Sequence, residues 1–169
     1  LDPNHYAAEW KWDGIRVQAT FEDGVRRLYT RTGDDISRTF PDLLDALVEP
    51  GVLDGELLVI REGQVASFGD LQQRLNRKTA DSKLVAAFPA AIRAYDLLQE
   101  GSDDLRGLPF SARRKRLEAF VPRQTGGRID LSPLQAFTSW EDLAGLRAAP
   151  PEGDPRIAEG LMLKRLDST

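Results

Sequence analysis

Apolar and polar positions change their period several times along the chain, and each change marks an element. Around Glu9 to Arg16, Trp10 and Trp12 alternate with Glu9, Lys11 and Asp13. That two-residue period predicts a strand with the tryptophans on one face and the charges on the other. Gly14 next in line permits a turn or a close backbone approach. Val17, Ala19 and Phe21 alternate again, Glu22-Asp23-Gly24 supplies a turn, and positions 25–29 return, which predicts a β-hairpin. Positions 30–35 read as a loop, and 40–48 have helical spacing with Pro41 near the start. A mostly apolar strand over 52–60 is interrupted by Asp54-Gly55-Glu56. Helices are predicted over 68–77 and 82–88, and a strand over 90–98 carries Tyr95 and Asp96. A helix over 110–120, an extended segment over 129–137 and a helix capped by Ser139 follow. The Pro/Gly-rich stretch 149–155 reads as a loop, and a last strand over 160–166 is entered by Glu159 and carries Lys164. Hairpins and strands with helices between them predict an α+β fold, antiparallel β-sheets packed against helices, with no internal repeat or domain boundary.

Composition narrows the setting. The 169 residues fit one domain with a sizeable core. No apolar run is long enough for a membrane helix and no signal peptide is visible, while the absence of cysteine fits a cytoplasmic protein without disulfides or thiolate metal sites. The formal charge of −4 argues against a uniformly basic nucleic-acid surface but leaves room for a local basic cleft. His5, the only histidine, lies in a polar lead-in and reads as a surface residue, so histidine-based catalysis is not expected. The first residue is Leu rather than Met, and the expectation is a piece of something longer.

Several charged residues admit two readings each. Lys11 is either an ion-paired residue on an ordinary strand face or a nucleophile, since a lysine amine forms covalent intermediates when its pKa is lowered. Adjacent carboxylates raise that pKa, so the second reading needs a divalent metal or further cations such as Arg16 near the amine. Bringing it from ~10.4 to near 7 requires about 4–5 kcal/mol of differential stabilisation, more than one positive neighbour's worth. Glu56 either points to water at a strand end or serves as a metal or ribose ligand, because a carboxylate inside an apolar run is expensive to bury alone. Arg74, Arg77 and Lys78 form either a phosphate contact or a solvated helix face. The run Arg113-Arg114-Lys115-Arg116 goes around a helix rather than along one face and reads as solubilising.

Four separated segments share one pattern. Lys11-Trp12-Asp13-Gly14-Ile15-Arg16 resembles the KxDGxR signature of covalent nucleotidyltransferases, the superfamily of ATP-dependent ligases and capping enzymes. Leu53-Asp54-Gly55-Glu56-Leu57 is similar to their DGE strand, Ala94-Tyr95-Asp96-Leu97-Leu98 to their aromatic-Asp strand, and Glu159-Gly160-Leu161-Met162-Leu163-Lys164 to their EGLMxK motif. Order and spacing agree too. The wording, with Arg31-Thr32-Gly33 between the first two motifs, most resembles bacterial-type ATP-dependent DNA ligases, and the resemblance runs from about Glu9 to Lys164.

The resemblance implies an ATP-grasp-like nucleotidyltransferase (adenylation) domain folded around a nucleotide cleft. In it Lys11 attacks the ATP α-phosphate and becomes lysyl-AMP. Glu9 reads the adenine amino group, Arg16 holds the ribose region, and Arg31 senses ribose or the nick phosphate. Glu56 and Glu159 contact ribose and Mg²⁺ or Mn²⁺, Tyr95 stacks on adenine, and Met162 closes the base pocket. Lys164 matches the motif's lysine; strict alternation puts it opposite Glu159, so both reach the cleft only if the strand twists or bulges at Gly160. The implied partners are ATP and nicked duplex DNA, for a monomer in DNA repair, replication or recombination with room for DNA-repair accessory proteins. Where the family continues into a further lysine-bearing strand and an OB-fold domain, this sequence stops at Thr169, so an incomplete domain, weak at self-adenylation, is expected. The alternatives are an RNA ligase or GTP-using capping enzyme, and a non-catalytic nucleotide- or DNA-binding module.

Overall fold

The first predicted strand divides at the residue that cannot carry a side chain. A Cβ on Gly14 would lie 2.3 Å from the Leu57 carbonyl oxygen and 2.7 Å from Leu58 Cδ2. This close approach lets the chain leave β1 (Tyr6–Trp12) and enter β2 (Ile15–Glu22) as strands of two different sheets. In this computed structural model, which describes residues 1–149 and 156–169, both strands face one cleft. The stretch 149–155 read as a loop lies, from residue 150, outside the described residues.

The remaining elements follow the polar pattern closely. The hairpin closes through Asp23-Gly24 into β3 (Val25–Thr30), with Glu22 opposite Val25. Then come α1 (Pro41–Ala46), β4 (Gly51–Arg61), β5 (Gln64–Val65), α2 (Phe68–Leu75), α3 (Ser82–Ala87), β6 (Ala90–Glu100) and β7 (Asp103–Asp104). Next are α4 (Phe110–Phe120), β8 (Ile129–Leu131), β9 (Leu134–Gln135), α5 (Trp140–Ala148) and β10 (Ala158–Arg165). Ser139 caps α5 through a reciprocal box with Asp142.

The large sheet runs β3-β2-β4-β6-β7, with β5 on β4 and β8 beside β6; the small one runs β10-β1-β9. All pairings are antiparallel except β6 with β8. The main core lies under the large sheet, where Val17, Leu28, Leu57 and Ile92 meet Phe40, Leu43, Leu117 and Phe120. A second cluster of Trp10, Trp12, Leu58, Val65 and Ile157 packs behind the small sheet, so the tryptophans do face inward.

Two charge readings are overturned in part: Arg77, Lys78 and Lys115 are exposed, as a solvated face requires, but three arginines of the same groups are buried. Arg74 is wholly buried rather than solvent- or phosphate-facing: it grips Asp42 with both terminal nitrogens (2.6 and 3.2 Å), donates to the Thr39 and Phe88 carbonyls and lies over the Phe40 ring. Helical spacing places it on the same face as Leu71, which is buried, and Asp42 of α1 supplies the charge that makes this tolerable. Arg113 and Arg114 of α4 are likewise buried and paired rather than solubilising, because successive residues of a helix that lies on β6 are carried to two different flanks of the contact.

Candidate functional site

Strand alternation assembles the cleft. On β1 the residues opposite Trp10 and Trp12 are Glu9 and Lys11; on β4, Asp54 and Glu56 share a face; β6 brings Tyr95, and β10 brings Glu159, Met162 and Lys164. Arg16 comes from β2 and Arg31 from the loop after β3. All nine residues that the sequence singles out line one cavity of about 550 Å³, within the ordinary range for a small-molecule site.

The β10 arrangement depends on a bulge at the place where alternation alone fails. Trp10 pairs with Leu161, but Trp12 pairs with Ala158, so β10 carries one residue more than β1 across the same interval. Gly160 takes φ +144°, a backbone few L side chains adopt, and this turns Glu159 toward Lys11 while Met162 and Lys164 keep their inward register.

Lys11 is half-exposed, and its Nζ donates to Glu159. This hydrogen bond and the charge behind it, with Glu56 and Asp13 nearby, push the amine's pKa up. In this state Lys11 is held as an ammonium. Glu56 is half-buried mid-strand, not turned to water at a strand end; burial, reinforced by Asp54 and Glu159, pushes its carboxyl up to about 7 despite a Gly14 N–H bond. Asp13 is also raised, by burial and then by Glu159. Burial and the charges of Asp54 and Glu56 raise the Tyr95 hydroxyl, which stays a neutral phenol.

Asp54 escaped the sequence reading, although its two-residue spacing from Glu56 puts it on the cleft face. It is almost wholly buried and holds Arg16 through Nε (3.2 Å) and Nη2 (2.7 Å), which raises the guanidinium's pKa further. Arg31 stays exposed at the rim, on a loop closed by Thr30 and Asp34. Glu9, by contrast, is only 2 % exposed: Lys164 Nζ donates to its Oε1 (3.1 Å) and to the Tyr95 carbonyl (3.3 Å). Lys164 also lies 4.7 Å from the Tyr95 ring centroid and 4.9 Å from that of Phe110. Among the described residues no three metal-ligating side chains come together, so any ion here would lean on non-protein ligands.

The model of the family described as "ATP dependent DNA ligase domain" matches residues 1–169. The chain belongs to this ATP-dependent DNA ligase domain family. As a ligase-family domain it is 35% identical to a probable DNA ligase of Koribacter versatilis over 97% of the chain, and 34% identical to one of Streptomyces coelicolor over 96%. It covers 32% of each of those proteins, so it spans about a third of the length of these relatives. Among solved structures it is similar to a mycobacterial DNA ligase D complexed with ATP and MES (27% identity, TM-score 0.73, covering 99% of this chain and 50% of that one). A Chlorella virus DNA ligase-adenylate shares the fold at 18% identity and TM-score 0.65, over 96% of this chain and 55% of that one. The family's ATP dependence agrees with a cleft that combines a ring, two phosphate-compatible arginines and a lysine. No helix among the described residues is long and apolar enough to cross a membrane.

Proposed function

We propose that this chain is the adenylation segment of a protein that seals nicks in duplex DNA with ATP. The observation that carries the reading is the convergence of Lys11, Arg16, Glu56, Tyr95 and Glu159 on one cavity. Lys11 Nζ attacks the α-phosphorus, the phosphoramidate bond forms and pyrophosphate leaves. AMP then passes to the 5′-phosphate at a nick, and attack by the 3′-hydroxyl joins the strands and releases AMP. Such transfers need positioning and charge neutralisation more than further covalent help. Tyr95 supplies the ring against which the purine stacks, with Met162 across the base, and Glu9 supplies an acceptor for its amino group. Arg16, fixed by Asp54, and Arg31 at the rim bind ribose or phosphate oxygens.

Glu56 and Glu159 fit a Mg²⁺ or Mn²⁺ ion, being two hard oxygen donors in a cleft that phosphate oxygens and waters complete. Bound there, the ion would neutralise phosphate charge and compete with Lys11 for Glu159. For Lys11 to attack, its amine must lose a proton that the Glu159, Glu56 and Asp13 carboxylates favour keeping, and Arg16, which lines the same cavity, is itself held by Asp54. We also propose that the lysine-bearing strand and OB-fold domain follow this chain in the longer protein, which acts as a monomer in the cytoplasm in repair, replication or recombination. The relatives' threefold greater length supports that reading. In the longer protein, Lys11→Ala should abolish sealing of a nicked duplex, whereas Lys115→Ala should leave it intact; sealing by Lys11→Ala would overturn the proposal.

A further inference from the structure

The four-cation run of α4 reads from sequence as a solubilising surface, yet half of it is buried against the back of the cleft. Arg113 grips Asp96, the neighbour of Tyr95, through Nε (2.9 Å) and Nη2 (3.0 Å) and so clamps α4 to β6. That clamp places the next side chain. Arg114 donates Nε to Glu118 (2.8 Å) and Nη1 to the Ser132 carbonyl (2.9 Å), and Nη1 lies 3.9 Å from Glu9 Oε1. Ser132 in turn accepts from the indole of Trp12, beside Lys11.

Glu9 therefore meets two cations, Lys164 and Arg114, and both are on the same oxygen, Oε1. Among the described residues nothing donates to Oε2, and Glu9 borders the cavity. A carboxylate anchored by one oxygen presents the other as a fixed acceptor. A fixed acceptor rewards an N–H donor at the purine 6-position and opposes a 6-oxo group, which is also an acceptor.

We infer that Arg114 is a positioning residue for nucleobase selectivity: acting through Glu9, it tunes the preference for a 6-aminopurine nucleotide over a 6-oxopurine one. The inference rests on the reading of Glu9 as the base contact. Among the described residues Arg114 does not line the cavity and makes no hydrogen bond or ion pair with Lys11. Its loss should change recognition rather than the rate of bond formation.

The test measures lysyl-nucleotide formation by the longer protein with ATP and with GTP, for wild type, Arg114→Met and Arg114→Lys. Arg114→Met should raise KM for ATP about tenfold with kcat within about threefold, and should lower the ATP-over-GTP ratio of kcat/KM by about tenfold. Arg114→Lys should restore part of both. A purely structural arginine would instead lower the active fraction, hence kcat, equally for the two nucleotides. A folded Arg114→Met protein with unchanged KM and unchanged ratio overturns the inference; should that variant fail to fold, an unchanged ratio in Arg114→Lys does so. If wild type forms no lysyl-nucleotide at all, the proposed function fails instead, and equilibrium binding of ATP against GTP to the same variants still decides the role of Arg114.

Discussion

A half-buried carboxylate among other carboxylates is a local liability. Glu56 has an ordinary value of 4.5, and in the folded chain it is pushed up to about 7. The folded form therefore prefers the protonated acid, and its stability falls as pH rises from 4.5 through 7, with the full loss present above 7. Without nucleotide or metal, Glu56→Gln should stabilise the chain by about 1–3 kcal/mol at pH 8 and leave it unchanged at pH 4, as read by paired thermal melts. The same substitution should reduce metal-dependent turnover and shift the Mg²⁺ requirement. Tyr95→Ala should weaken ATP binding by about 1–3 kcal/mol if the purine stacks there; unchanged affinity by calorimetry would make Tyr95 merely a wall residue. At this scale alternation along a strand placed Lys11 opposite the tryptophans, and the resemblance to the family's motifs singled out Glu56 and Tyr95. The sequence was silent where the decisive partner lies far away in the chain. Asp42 beneath Arg74, Asp96 beneath Arg113 and Asp54 beneath Arg16 are tertiary pairs that no local pattern announces.

Elements were legible in existence and type, less so at their joints. The single strand read across Glu9 to Arg16 is two strands in two sheets, because the clash awaiting a Cβ at Gly14 is with Leu57 of distant β4. The bulge at Gly160, expected only as a condition for bringing Glu159 and Lys164 together, is present as a one-residue shift against β1. Among the described residues nothing crowds Gly160, so Gly160→Ala should act through backbone strain. It should cost about 1–3 kcal/mol and weaken the Lys11–Glu159 pairing, measured as a lower melting temperature together with slower lysyl-AMP formation. Between α1 and α2 the buried Arg74–Asp42 pair carries another expectation. Arg74→Ala leaves Asp42, among the described residues, with Arg128 at 3.3 Å as its remaining cation and should destabilise the chain by about 3–5 kcal/mol, while KM for ATP stays unchanged in whatever remains folded.

Across the whole molecule, strands of both sheets line one cavity: β1 and β10 bring the nucleophile, Glu159 and the base side, and β2, β4 and β6 bring Arg16, Glu56 and the ring. Neither sheet holds a complete site, so the fold and the chemistry are the same arrangement of strands. On the proposed organisation, residues 1–169 alone should form lysyl-AMP roughly tenfold or more slowly than the longer protein, since phosphate-binding groups beyond this chain help to neutralise the leaving pyrophosphate. Equal rates would remove that requirement. The most direct test of the central claim is intact mass of the longer protein after incubation with ATP and Mg²⁺, and again after pyrophosphate. The account predicts a gain of one AMP that pyrophosphate reverses and that Lys11→Ala lacks; an adduct that persists in Lys11→Ala, or none in wild type, would contradict it.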